Sequence, residues 1–257
     1  MAKIRSMKDL MNVVHEATIH VPEHGSSRIL NDVHAPRRER GGMTTEERRE
    51  QLRRALVDAA EAAIVEGGLG ALKARDLAKA VGCAVGAIYT VFPDLDALIL
   101  SVNLRTLQLF ESTITAVRTA TGEGGAAHAD RGAATEDLVR LAVSYLRFAI
   151  QHPARWRALF QHRMAVAPPA WFLREQVRLF QHIEAPLAVL RPDLDEAARA
   201  LLARTLFSAT HGMVSLGLDE KLMTLSEPVL RRQIETVVAA IGLGLTGPAR
   251  PPEEVTP

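Results

Sequence analysis

The sequence predicts an all-helical protein, and three observations carry that expectation. Aromatic residues make up only 4% of the chain while alanine and leucine abound. That mix favours helices over sandwiches and barrels, which draw on β-branched and aromatic residues. Apolar residues recur at helical spacing over most of the chain after Thr44, with no convincing strand. Prolines and glycines then divide the periodic stretches into about nine helices.

Residues 1–42 stand apart. They hold four of the nine histidines together with Pro22, Gly25, Pro36 and the basic cluster Arg37, Arg38 and Arg40. Beyond a short helix over Met7 to Val14 they sustain no period, so they read as a disordered tail or an extension ahead of a start near Met43. The alternative is a basic arm that touches DNA. Charges and histidines recur before any apolar core, which does not suit a signal peptide.

Helical signal begins at Thr44, where Glu47 completes a capping box. Leu52, Leu56, Ala59, Ala63 and Ile64 follow at helical spacing, and Gly67-Gly68 ends this helix. Leu72 to Val81 and Ala84 to Phe92 suit two short helices, and a long one capped near Asp94 runs to about Ala120. The Gly-rich stretch Thr121 to Arg131 reads as a loop. Further helices are expected over Thr135 to Gln151, Ala154 to Arg163, Trp171 to Leu190, Asp193 or Asp195 to Leu218, and Glu227 to Leu245.

The chain has 257 residues, 47% of them apolar, enough for a sizeable core. Its formal net charge is +1, so any surface for nucleic acid must be local. The single cysteine, Cys83, excludes an intramolecular disulfide and suits a reducing cytoplasm. No run of about 18 uninterrupted apolar residues suggests a membrane span.

Leu77 to Val91 carries the strongest motif. Two short helices that cross steeply about a tight turn need a small residue at their closest approach, and Ala78 is one. The turn favours a residue that accepts positive φ, and Gly82 follows four residues later. Leu77, Val81, Cys83, Ile88 and Val91 are placed to plug the crossing.

The stretch GGLGALKARDLAKAVGCAVGAIYTVFPDLDALI resembles the DNA-binding domain of the TetR family of bacterial regulators. The shared signs are Gly68 after the first helix, Leu77-Ala78, the turn Val81-Gly82-Cys83, the Gly86-x-x-Tyr89-x-x-Phe92 helix and Asp96-Ala97-Leu98. The likeness spans about residues 46–100. It departs at Cys83, where valine is usual, and at Leu95, where a phosphate-facing lysine is common.

The resemblance implies an N-terminal three-helix DNA-binding domain with a helix-turn-helix at 43–100 and a C-terminal helical ligand-binding and dimerisation domain at 101–250. The exposed face of the third helix would meet the major groove with Ala84, Val85, Ala87 and Thr90, which are small or apolar and suit thymine methyls and DNA shape. The family pattern gives Tyr89 a phosphate contact. Lys73, Arg75 and Lys79, and Arg48 with Arg49 at the start of the first helix, are candidates for positioning the domain on phosphates. Residues 43–100 nevertheless hold seven Lys and Arg against nine Asp and Glu, which lowers the expected non-specific affinity.

In the C-terminal part, HPARWRALFQHR, PPAW and THGMVSLGL resemble a TetR subclass marked by Trp, His and Gly. Aromatic residues near helix ends and prolines nominate an effector pocket of Phe110, Phe148, Trp156, Phe160, Trp171, Phe172 and His211. The dimer face is expected on the last two helices, at Leu202, Leu206, Met213, Leu216, Ile234, Val238 and Ile241.

No catalytic, metal or cofactor site is expected. Gly122-x-Gly124 follows a helix rather than a strand, Ser215 lacks a nucleophile-elbow pattern, and His152, His162, His182 and His211 lack ligand spacing. The sequence therefore reads as a cytoplasmic, ligand-responsive regulator that binds double-stranded DNA as a homodimer. Repression of a near-palindromic operator, relieved by a small apolar molecule, ranks first. The alternative is a helical interaction protein whose helix-turn-helix no longer binds DNA.

Overall fold

A computed structural model describes residues 43–120, 130–164, 167–219 and 225–246. The N-terminal extension, and with it any basic arm, lies outside the described residues, as does most of the Gly-rich loop. Among the described residues there are nine α-helices and no strand. They are α1 (Thr45–Gly67), α2 (Ala74–Val81), α3 (Val85–Val91), α4 (Leu95–Ala120), α5 (Arg131–Gln151), α6 (Pro153–Gln161), α7 (Ala170–Leu190), α8 (Glu196–Gly217) and α9 (Glu227–Leu245).

Local chemistry sets most boundaries. Thr44 and Glu47 form the reciprocal capping box at α1. Asp94 accepts from the Ala97 amide at the start of α4, and Asp195 from Ala198 at the start of α8. Two starts differ from the sequence reading by more than one residue. The chain makes a 3₁₀ turn at Leu69–Ala71, so α2 begins at Ala74. Helix α5 begins four residues early, at Arg131, because Asp130 accepts from the Gly132 amide.

One core gathers Leu56, Ile64, Leu77, Ile88, Phe92 and Leu98, with Ala158 of α6 joining them. A second packs α5, α7, α8 and α9 around Leu146, Leu187, Leu190, Val214 and Ile234. Helices α5 and α9 lie close: a Cβ on Gly242 would come within 2.5 Å of Thr135 Cγ2, so glycine is required there. Helix α4 has 26 residues, about 39 Å at 1.5 Å per residue, and it touches α1, α5, α6 and α7. No single helix among the described residues is long and apolar enough to cross a membrane.

Candidate DNA-binding and effector sites

The turn between α2 and α3 has the geometry its sequence asks for. Gly82 takes φ 75°, ψ 34°, the left-handed region that a side chain resists. Cys83 N–H donates to the Ala78 carbonyl at 2.9 Å, closing the turn. Leu77, Ala78, Ile88 and Val91 are buried, while Val81 and Cys83 are partly buried against the same core.

Burial of Ile88 and Val91 turns the opposite face of α3 outward. Ala84, Val85, Tyr89 and Thr90 are exposed, and Ala87 is half-buried. Tyr89 retains 49% of its surface, so core packing does not account for it. The Thr90 hydroxyl donates to the Ala87 carbonyl at 2.7 Å. Lys73, Arg75 and Lys79 are exposed on and before α2, and Arg48 and Arg49 on the first turns of α1.

Arg53 escaped the sequence reading except as a unit of charge. Its guanidinium lies 4.5 Å from the centre of the Phe92 ring and donates to the Val91 carbonyl at 2.6 Å. Helix α1 thereby holds the C-terminal end of α3 through a charge-assisted bond and a cation–π contact. Nothing in the sequence announces a pairing across 38 residues.

Of the seven nominated effector residues, the structure brings five together. Phe110, Phe148, Trp156, Phe160 and His211 join Tyr145, Phe180 and Phe207 in one aromatic cluster. Trp171 and Phe172 lie elsewhere: Phe172 packs against Leu100 and Leu107 of α4, with Trp171 edge-on to it. The rings stand close, with Phe160 and His211 centres 4.3 Å apart, and Phe160 keeps 40% of its surface exposed at the edge of the cluster.

A polar thread runs through this apolar cluster. Trp156 Nε1–H donates to Tyr145 Oη at 2.8 Å. The tyrosine hydroxyl lies 2.6 Å from His211 Nδ1, in a hydrogen bond whose donor is set by the histidine tautomer. Burial lowers the His211 pKa below its ordinary value and keeps the ring neutral near pH 7. Burial likewise raises the Tyr145 pKa, the hydrogen bond from Trp156 opposing it.

Helix α6 belongs to both cores. Trp156 and Phe160 face the aromatic cluster, while Ala158 packs into the helix-turn-helix core. Arg155 pairs with Glu61 of α1, which also receives Arg105 of α4 at 3.0 Å. His162, just past the end of α6, lies 3.0 Å from Asp96 at the start of α4.

Residues 56–102 match the family described as bacterial regulatory proteins, tetR family, and residues 138–241 match the tetracyclin repressor-like C-terminal domain. A TetR transcriptional regulator from Rhodococcus sp. RHA1 superposes with TM-score 0.50 at 15% identity, over 76% of this chain and 97% of its own. A protein of unknown function from the same organism gives TM-score 0.58 at 19% identity, over 76% and 96%. At such identities the two structures speak to fold alone. No curated protein matches the sequence significantly.

A helix-turn-helix on an all-helical body defines the class, a DNA-binding transcriptional regulator. The chain belongs to the TetR family.

Proposed function

We propose that the protein represses transcription from a near-palindromic operator as a homodimer and releases it when a small molecule binds the C-terminal region. The reading divides the chain into a DNA-binding domain at 43–100 and an effector and dimerisation domain at 101–250, in a cytoplasmic setting. The observation that carries it is the outward face of α3, where Val85, Tyr89 and Thr90 are exposed above a buried Ile88 and Val91. A short helix keeps such a face free for a groove. The meeting of Trp156 and His211, ring centres 5.5 Å apart, supports the Trp-His-Gly subclass.

A gel shift with the DNA upstream of the protein's own gene tests the reading. Specific retardation is expected. Replacing Tyr89 with Phe should weaken it by about 1 kcal/mol, or up to twice that for a charged phosphate acceptor. Unchanged affinity in Tyr89→Phe removes Tyr89 from the contact surface, and no specific binding by the wild type returns the protein to the interaction reading.

Dimerisation needs a different set of residues from the one the periodicity nominates. Leu206, Ile234 and Val238 are buried within the protomer, so they are unavailable to a partner. The exposed row on α8 runs Leu201, Thr205, Ser208, Leu216, and that on α9 runs Val229, Val237, Leu243. Thr205 and Ser208 donate to carbonyls one turn back on their own helix, which lets them enter an apolar interface without unmet hydrogen bonds. We expect these rows to meet their two-fold copies as a four-helix face. Leu216→Glu with Leu243→Glu should give a monomer by sedimentation with its helical circular dichroism intact. A persistent dimer would move the interface elsewhere.

The release step follows from α6. An effector that enters the aromatic cluster must displace rings around Trp156 and Phe160 and thereby shift α6. Its other contacts, Ala158, Arg155 and His162, lie against α1 and α4, so the tilt of the DNA-binding helices follows. Only an effector that binds the shifted state better moves the equilibrium.

A further inference from the structure

We propose that Asn103 is the polar anchor of the effector site, and that the effector is an uncharged apolar molecule whose hydroxyl donates to the Asn103 side-chain oxygen. The proposal rests on the effector-responsive reading and names the chemistry of that effector.

Asn103 lies past the first turns of α4 and keeps 2% of its surface. Among the described residues, its Oδ1 is the only buried side-chain oxygen or nitrogen without a hydrogen-bond partner. The buried hydroxyls behave otherwise. Thr106, Thr135 and Thr210 each donate to the carbonyl one turn back on their own helix. That solution is closed to Oδ1, which only accepts. The amides around it are already engaged in the helix's own ladder, so the oxygen needs a donor from outside α4.

An unmet buried acceptor is costly, and asparagine is a poor helix former. Leucine at this position would avoid both costs. A residue that breaks the local rules of a helical core in this way points to a partner outside the fold.

The surroundings select the chemistry of that partner. Leu100 and Leu107 stand one turn to either side of Asn103, and Phe172 packs against both, with Leu159, Met164 and Leu179 around them. A ring that touches both leucines lies over the turn between them, beside Asn103. A carboxylate only accepts, so it offers Oδ1 nothing. An ammonium would donate, but it would carry its charge into this apolar seam. The carboxylates on the adjoining edge of α4 and α7, Glu111 and Glu175, already hold Arg178. A neutral hydroxyl meets the oxygen without that cost.

Phe110 follows Asn103 by seven residues, so the two share a face of α4 within about 20° and stand about 10.5 Å apart along it. Phe110 belongs to the aromatic cluster, in ring contact with Tyr145 and Phe148. An effector held at Asn103 therefore directs its apolar body into that cluster. Met164, unbranched and adaptable, is the part of the wall that yields most readily. Leu159 adjoins Ala158, which packs into the helix-turn-helix core, so a molecule lodged here presses on α6 where α6 bears on the DNA-binding helices.

The test compares 1-octanol with 1-methoxyheptane, neutral isomers of which only the alcohol donates a hydrogen bond. The chain has two tryptophans, Trp156 in the cluster and Trp171 against Phe172, and their fluorescence reports binding. 1-Octanol should perturb it saturably and bind at least about five-fold tighter than the ether, the value of one net hydrogen bond. Asn103→Leu should bring the two compounds level.

Equal wild-type affinities, a gap that survives Asn103→Leu, or no saturable response to either compound overturns the proposal. The wild-type comparison stands even if the variant misfolds. Operator affinity measured alongside separates the two readings. Selectivity for 1-octanol that depends on Asn103, without operator release, keeps the site and sinks the switch. Operator release by both compounds at equal concentrations keeps the switch and sinks the Asn103 site.

Discussion

Replacing Trp156 with alanine should lower the melting temperature by roughly 10 °C. The side chain is 7% exposed and in ring contact with Tyr145, Phe160 and His211. Removing a buried tryptophan costs about 3–5 kcal/mol through lost transfer energy and the cavity left behind. In a chain of this size each kcal/mol moves the midpoint by about 2–4 °C. The truncation also takes away the Nε1–H that Tyr145 Oη accepts, in a place where no water replaces it freely. Trp156→Phe keeps most of the volume and loses only that bond, so about 1 kcal/mol is expected. Trp171→Ala, at a ring already 36% exposed, should cost less than Trp156→Ala. Indole should partly restore the alanine variant by filling the hole. Thermal melts of the three variants check the order, and a Trp156→Ala midpoint within two or so degrees of wild type would mean that the ring is not part of the packed core.

The helix-turn-helix was legible because its requirements are local. A small residue at the crossing, a left-handed glycine at 82 and a capping box at 44 to 47 each follow from neighbours in the chain, and each is found in place. The start of α5 was hidden because Gly132 lowers helix propensity. What holds that first turn is the Asp130 cap together with Ala134 and Thr135, both buried, where α5 packs on α9. Periodicity marked α8 and α9 as apolar, yet each helix carries two rows. Which row faces its own core depends on the packing of four helices. The aromatic residues were found, but proline-flanked Trp171 and Phe172 gave no sign that they would serve α4 instead. Tyr145 passed unnoticed, since one tyrosine in an amphipathic helix reads as core. Its hydroxyl matters only because residues 11 and 66 positions away supply a donor and an acceptor. Glu61 likewise carries no local sign that folding brings Arg105 and Arg155 to it.

Glu61→Gln should loosen the joint that ties α1 to α4 and α6. The carboxylate sits on α1 with its side chain 16% exposed, and it holds Arg105 of α4 and Arg155 of α6 together. Arg105 has a second partner in Asp58 at 2.6 Å, so neutralising Glu61 falls hardest on Arg155. Two half-buried guanidinium groups would then face each other without the charge between them. The expected loss of stability is about 1–2 kcal/mol, between an exposed pair and a fully buried one. Arg155→Met keeps the apolar stem of the side chain and removes the other half of the contact. In a double-mutant cycle the two changes should be non-additive by about 1 kcal/mol, and the coupling should shrink at high salt because the site is partly open to solvent. Additive losses would show that the two groups touch without stabilising each other. With coupling present, Glu61→Gln should also lower operator affinity, because α6 would no longer hold α1 at the tilt that its Ala158 contact and the His162 to Asp96 bond define. A variant that loses the coupling yet binds operator as wild type would leave Ala158 and His162 as the contacts that set the geometry of the DNA-binding helices.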